Sequence, residues 1–282
     1  PSKGYHFYGH GIFSHDGRYL ITTENHINSG EGSITIRDVQ SAFSIIHQYS
    51  SQGIGPHEIK LSNDGKTLIV ANGGIKTHPE MGRQKLNLAT MKPSLVYLNL
   101  KTGQLIEKVN LSDHLHQLSI RHIDINKQNQ IVIAMQYQGD KTDQVALVAT
   151  HHRGEAIRLL DAPTTSYLAM KQYCGSICYD QSGKYAAATS PKGDRLTIWD
   201  TEQGKIFDEV RCRDVCGVSA LGQDGFIVTS GTGKLYQYHL KKKHLSRIGH
   251  HLKTLAPEKL SAKSKASFPD RIAWDNHLSI GV

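Results

Sequence analysis

The chain has 282 residues, enough for one large all-β domain or two ordinary ones and for a substantial buried core. Apolar residues make up 38% of it, and no run reaches the roughly 18 consecutive apolar residues that a membrane-spanning helix needs. The formal charge of +8 is local in origin: Lys241, Lys242, Lys243, Arg247, Lys253, Lys259, Lys263 and Lys265 stand in one stretch against Glu258 alone, on an otherwise nearly neutral body without the basic, aromatic-rich motifs of a nucleic-acid binder.

Pro1-Ser2-Lys3-Gly4-Tyr5 opens the chain with no apolar signal-peptide segment. A first unit then runs from His10-Gly11-Ile12-Phe13-Ser14 through the turn His15-Asp16-Gly17 into Tyr19-Leu20-Ile21-Thr22-Thr23, continues through Gly32 to Asp38 and closes near Phe43-Ser44-Ile45-Ile46. These are four short segments rich in β-branched residues and bounded by turn formers. The order returns in a second unit with Glu58-Ile59-Lys60-Leu61-Ser62, Asn63-Asp64-Gly65, Thr67 to Ala71, Ser94 to Leu98 and Gln104 to Val109. A third unit offers His122 to Ile125, Gln130 to Ala134, Val145 to Val148 and Ala156 to Leu159. Ser176 to Tyr179, Tyr185 to Ala188, Leu196 to Asp200 and Lys205 to Phe207 form a fourth, and Val218 to Leu221, Phe226 to Thr229, Lys234 to Tyr238 and Leu245 to Ile248 a fifth.

Turn residues Gly17, Gly65, Asn129, Gly183 and Gly225 recur at spacings of about 42 to 64 residues, the period of propeller blades. A lone four-stranded sheet leaves both faces exposed, so five in succession predict packing face to face around an axis. The expected fold is an all-β β-propeller of four-stranded blades, about five of them complete, in a single domain over 1–282. Blades are expected over 8–52, 53–115, 116–168, 169–212 and 213–250, a basic linker over 251–267 and a closing strand over 268–282. Few residues precede the first unit, so further N-terminal blades are expected upstream. Trp199-Asp200 resembles the WD signature, but without its Gly-His companion or repetition in other units, which indicates a divergent propeller.

Two features stand outside the repeat. The four cysteines form two equally spaced pairs, Cys174 with Cys178 and Cys212 with Cys216, readable as small buried side chains, as disulfide partners or as metal ligands. The second unit carries a long insertion between Ala71 and Ser94 whose His78, Glu80 and Arg83 suit a functional loop.

Aligning the five first strands stacks Gly9-His10, His57-Glu58, Arg121-His122, Gly175-Ser176 and Gly217-Val218 at one end of the axis. The second strands end on the same side, which adds Glu24, Asn25, Asn72, Gln136, Tyr137, Gln138, Ser230 and Thr232 to a candidate binding face with Arg121, Ser176 and loop residue His78. His10, His57, Glu58 and His122 carry imidazole and carboxylate donors suited to iron, zinc or copper. The same positions also suit a plain structural role, satisfying backbone groups and water along a channel.

Tyr8-Gly9-His10-Gly11, Gly53-Ile54-Gly55-Pro56-His57-Glu58, Ala71-Asn72-Gly73-Gly74 with His78-Pro79, Leu118-Ser119-Ile120-Arg121-His122, Gln136-Tyr137-Gln138-Gly139 and Trp274-Asp275-Asn276-His277 together resemble a bacterial domain-of-unknown-function family, number 1513, over essentially the whole chain. The resemblance implies a seven-bladed propeller with additional N-terminal repeats and an export signal, hence a periplasmic home. It also implies a link to iron-acquisition genes, including imelysin-like and di-haem peroxidase-like proteins as partners. The expected function is that of a periplasmic binding or accessory protein in iron acquisition, holding a metal, a metal chelate or a partner protein on its polar face. Two alternatives stand beside it: a metal-assisted hydrolase resembling propeller lactonases, with Glu24, Glu58 or His122 as acid or base, and a pure interaction platform. No Gly-x-Ser-x-Gly elbow, phosphate loop or His-Glu-x-x-His helix occurs.

Overall fold

The structure, a computed structural model, describes residues 1–248. The linker and closing strand expected over 251–267 and 268–282 lie outside the described residues.

Five antiparallel four-stranded sheets follow one another, each with its strands in chain order. The first holds β1 (Tyr5–Phe13), β2 (Tyr19–His26), β3 (Glu31–Asp38) and β4 (Ser44–Ile54). The second holds β5 (Pro56–Leu61), β6 (Thr67–Asn72), β7 (Ser94–Asn99) and β8 (Leu105–Asn110). The third is built of β9 (Leu118–Ile125), β10 (Ile131–Tyr137), β11 (Val148–His151) and β12 (Arg158–Leu159), and a short helix α1 (Thr164–Ala169) leads onward. The fourth comprises β13 (Ser176–Tyr179), β14 (Tyr185–Ser190), β15 (Arg195–Asp200) and β16 (Lys205–Arg211), the fifth β17 (Val215–Ala220), β18 (Gly225–Ser230), β19 (Lys234–His239) and β20 (His244–Arg247).

The repeated turn chemistry sets each first hairpin. Ser14 donates to Asp16 Oδ1 at 2.5 Å, the same oxygen accepts from Arg18 N–H, and Gly17 takes a left-handed φ of +69°. Ser62, Asp64, Lys66 and Gly65 repeat the arrangement in the second sheet. An Asp or Ser side chain that caps its own turn and a glycine at positive φ close a tight connection without steric penalty.

First strands pack on one another in the order β1, β5, β9, β13, β17 and so line the axis. Second and third strands are mostly buried in the first four sheets, and every residue of β6 and β11 is buried. Fourth strands face solvent, leaving Ile45, Ile46, Leu105 and Ile106 exposed. Apolar layers fill the spaces between sheets: Ile21, Ile34, Ile59 and Leu68 between the first two, Ile120, Ile133, Val148 and Trp199 in the middle, Leu196, Val218, Phe226 and Tyr238 between the last two. Each such side chain contributes about 1.5–3 kcal/mol on burial, so the sheets hold one another in place.

The third sheet departs from its expected strands. The third strand begins at Val148 rather than ending there, because His151 is buried with Nδ1 2.6 Å from the Tyr97 hydroxyl and Nε2 2.9 Å from the Glu155 carbonyl. The polar end of the segment is thereby drawn into the sheet, and Val145 and Ala146 remain in the approach to it. All four cysteines are free thiols, buried or half-buried. No described helix is long and apolar enough to cross a membrane.

Candidate functional site

The polar end of the inner strands is shaped by irregularities of pairing. On β1 the register shifts between Phe7 and Gly11, on β5 between Pro56 and Glu58, and on β9 between Ile120 and His122. His57 and Arg121 are therefore single extra residues in bulges, and Tyr8, Gly9 and His10 together stand opposite Thr23; such irregularities bend a strand and re-aim its side chains. Close approach of the strands assists. A Cβ on Gly9 would stand 2.1 Å from the His57 carbonyl oxygen, so only glycine lets β1 approach β5 this closely.

The result is a cluster of three imidazoles from three successive sheets. His10, His57 and His122 each offer a ring nitrogen, and these atoms all lie within 4.8 Å of one another. Ring centroids are 4.7 Å apart for His57 and His122, 5.3 Å for His10 and His57, and 5.5 Å for His10 and His122. Glu58 stands behind the cluster: its Oε2 accepts from His122 Nδ1 at 3.1 Å and from Ile123 N–H at 3.0 Å, and its Oε1 is 4.0 Å from His10 Nδ1. The Arg121 carbonyl accepts from His57 Nδ1 at 3.1 Å. Acceptor-only partners on Nδ1 put the ring proton there and make Nε2 the lone-pair nitrogen.

The charges reinforce this arrangement. Burial, then the Arg121 guanidinium and the His122 and His10 rings, push His57 well below the ordinary histidine value, so it is neutral at neutral pH. Burial alone would raise the Glu58 carboxyl, but Lys60, His122 and His10 overcome it and hold it at about 2. Lys60 bridges Glu58 Oε1 at 3.7 Å and Asp124 Oδ1 at 3.4 Å, and despite burial these carboxylates raise it above the ordinary lysine value. Lys60 and Asp124 are absent from the sequence-derived set, although each lies two residues beyond a member of it and so on the same strand face.

The remaining predicted residues divide. Glu24 is fully buried and forms an ion pair with Arg37 at 2.5 Å, while accepting from the Ser2 backbone N–H at 3.1 Å, which commits it to the first sheet. Asn72 donates to the Ser51 carbonyl at 2.9 Å, Gln136 to the Cys174 carbonyl at 2.9 Å and Ser230 to the Arg213 carbonyl at 2.8 Å, each tying down a connection. Asn25 is buried opposite His6, Ser176 is buried opposite Thr189, and Thr232 is exposed beside Ser230. His78 accepts from Glu80 N–H within its own loop.

Arg121, Gln136, Tyr137 and Gln138 line a separate cavity of about 630 Å³. The long insertion reaches it through Ile75 and through Lys85, which bonds Gln138, rather than through His78, Glu80 or Arg83. Lys141, Lys171, Tyr173 and Lys192, also on its wall, come from connections without a repeat pattern and carry no sequence signal.

Five four-stranded sheets about an axis lined by their first strands, with polar side chains gathered at one end, define a β-propeller. No curated protein matches the chain. Among solved structures it is similar to the β-propeller domain of Cps50 (Swd1) from Myceliophteria thermophila, with a TM-score of 0.58 and 13% identity over 83% of this chain and 65% of that one. The chain thus spans just under two thirds of that structure, and at this identity the likeness concerns the fold alone. It belongs to the family described as "Protein of unknown function (DUF1513)", which matches residues 1–281.

Proposed function

We propose that this propeller is a metal-binding protein in which His10, His57 and His122 hold one transition-metal ion and Glu58 orients the ligands from behind. The observation that carries the reading is the convergence of three imidazole nitrogens within 4.8 Å. An equilateral triangle of that edge has its centre about 2.8 Å from each corner, so rings at this limit need to close by roughly 0.7 Å to reach a 2.0–2.1 Å metal–nitrogen bond. Hydrogen bonding at Nδ1 by a carboxylate and by a backbone carbonyl is the support that metal-bound histidines ordinarily receive. Imidazole donors suit iron, zinc and copper. The role in periplasmic iron acquisition, with imelysin-like or di-haem peroxidase-like partners, rests on the family resemblance and narrows the choice to iron.

Protein incubated with ferrous iron, zinc or cupric ion and desalted is expected to retain one equivalent by elemental analysis, and His57→Ala or His122→Ala to retain less than about a tenth of that. Absence of retained metal, with thermal stability indifferent to all three ions, would overturn the reading. Three histidines leave a tetrahedral ion one open position, the pattern of catalytic zinc sites, which favours metal-assisted hydrolysis as the second reading. In it Glu24 is unavailable as an acid or base, being tied to Arg37. Turnover of a lactone or ester by the metal-loaded chain, lost in His122→Ala, distinguishes the two.

A further inference from the structure

The cavity beside Arg121 has a charge imbalance that the histidine cluster does not explain. Its wall carries Arg121, Lys85, Lys141, Lys171 and Lys192 against the single carboxylate of Asp143. That carboxylate already accepts from the Tyr137 hydroxyl at 2.7 Å. Among the described residues none of the five cations is within 4.0 Å of a carboxylate. Arg121 Nε is buried with no hydrogen-bond partner among them, and the Lys192 ammonium lies 4.2 Å from the centre of the Tyr173 ring. Partial burial, then the charges of Lys192 and Arg121, pull Lys85 below the ordinary lysine value.

The walls are preformed. Gln172 holds the 140–143 connection by donating to the Asp140 carbonyl at 2.7 Å and the Asp143 carbonyl at 2.9 Å. Lys171 and Gln172 take left-handed φ values of +48° and +55°, a conformation uncommon in residues with a Cβ and found where surrounding contacts impose it. A Cβ on Gly73 would stand 2.8 Å from Ser119 Oγ, so glycine lets this connection lie close against β9 beside Arg121.

From this geometry we infer that the cavity is a binding site for a small organic polyanion, a molecule carrying at least two carboxylate or phosphate groups. A volume of about 630 Å³ falls within the usual range for small-molecule sites. The planar fork of Arg121 matches one carboxylate or phosphate in two-point contact, and Lys85 and Lys192 reach a second anionic group. Tyr8 bonds the Arg121 guanidinium, but no carboxylate stands beside it and its Nε is left over, so anion binding offsets part of the cost of burying this charge. Ile75, Tyr167 and Leu168 supply apolar surface for the carbon frame.

The test is isothermal titration of the full chain, stripped of metal on a chelating resin because a soluble polycarboxylate chelator would compete. The probes are tricarballylate and inorganic pyrophosphate, with the uncharged trimethyl ester of tricarballylate as control. Saturable one-to-one binding of either anion is expected, weakening as salt is raised. Arg121→Gln is expected to reduce affinity about tenfold to a hundredfold, and Lys85→Gln or Lys192→Gln about threefold to tenfold. Lys101→Gln, in the exposed turn between β7 and β8, leaves it unchanged. Stronger binding of tricarballylate assigns the anionic groups as carboxylates, stronger binding of pyrophosphate as phosphates. No saturation by either up to about 10 mM, equal binding of the ester, or affinity unchanged in both lysine variants overturns the inference. The lysine variants lie on exposed connections and keep the test valid if Arg121→Gln fails to fold. Since the protein is metal-free, the outcome is independent of whether the histidine cluster takes a metal.

Discussion

His122 on β9 and Glu58 on β5 meet across two sheets, with the imidazole Nδ1 donating to the carboxylate at 3.1 Å. The same oxygen also accepts from the Ile123 backbone N–H, so one carboxylate both joins two blades and orients a ring of the cluster. Replacing Glu58 by Gln removes the negative charge behind the histidines and keeps the shape. Metal affinity, measured by competition against a chromophoric chelator, is expected to fall about tenfold to a hundredfold, the usual effect of removing such a supporting group. An unchanged affinity would show that Glu58 serves only the contact between blades.

Gly9 is the closest backbone approach at the site. Gly9→Ala places a Cβ 2.1 Å from the His57 carbonyl oxygen and must push β1 away from β5. The variant is expected to lose about 1–3 kcal/mol of stability by overpacking. It should also lose metal binding, because His10 moves with β1. Denaturant unfolding and elemental analysis of the same samples check both, and full metal retention would refute the idea that strand approach assembles the cluster.

Glu24 and Arg37 form a buried pair, and removing one partner leaves the other charged and uncompensated. Glu24→Gln is expected to destabilise the chain by about 3 kcal/mol. Burial acts to raise the Glu24 carboxyl, but Arg37 and the Ser2 backbone N–H outweigh it, so its folded-state value lies below the ordinary one. Its contribution is therefore fully present above the unfolded-state value of about 4.3 and is lost as pH falls through the lower folded-state value. Urea midpoints recorded from pH 6 to pH 3 should fall less steeply for the variant than for the parent chain.

The cysteines are expected to be inert. Burial pushes the Cys174 thiol up to about 12, and burial together with the Asp124 carboxylate raises Cys178 well above the ordinary value. Thiolate is the reactive form, so a disulfide reagent at pH 8 should modify Cys174 and Cys178 in the folded chain far more slowly than after denaturation, when all four thiols react. Rapid labelling of either in the native state would contradict the buried placement.

Much of the architecture was legible in the residues. Alternating β-branched segments and recurrent Asp-Gly turns act locally, over about ten residues, so they mark hairpins without any knowledge of packing. Stacking the first strands set Gly9-His10, His57-Glu58 and Arg121-His122 side by side, with His57 one position before the equivalents of His10 and His122, and the three imidazoles converge within 4.8 Å. Glu24, Asn72 and Ser230 lie near the ends of their strands, as the repeat places them, but a buried partner engages each side chain, and such a partner leaves no mark in the local pattern.

The chain's own periodicity determined that this protein is a propeller of four-stranded sheets with histidines at one end of the inner strands. The tertiary structure alone decided which polar groups converge. Bulges at His57 and Arg121 re-aim the inner strands, and the approach permitted by Gly9, the bond from His122 to Glu58 and the arrival of Lys85 beside Gln138 join residues about 50 to 65 apart in sequence. Such contacts are set by how whole sheets pack, and no local pattern of residues encodes the distance between blades.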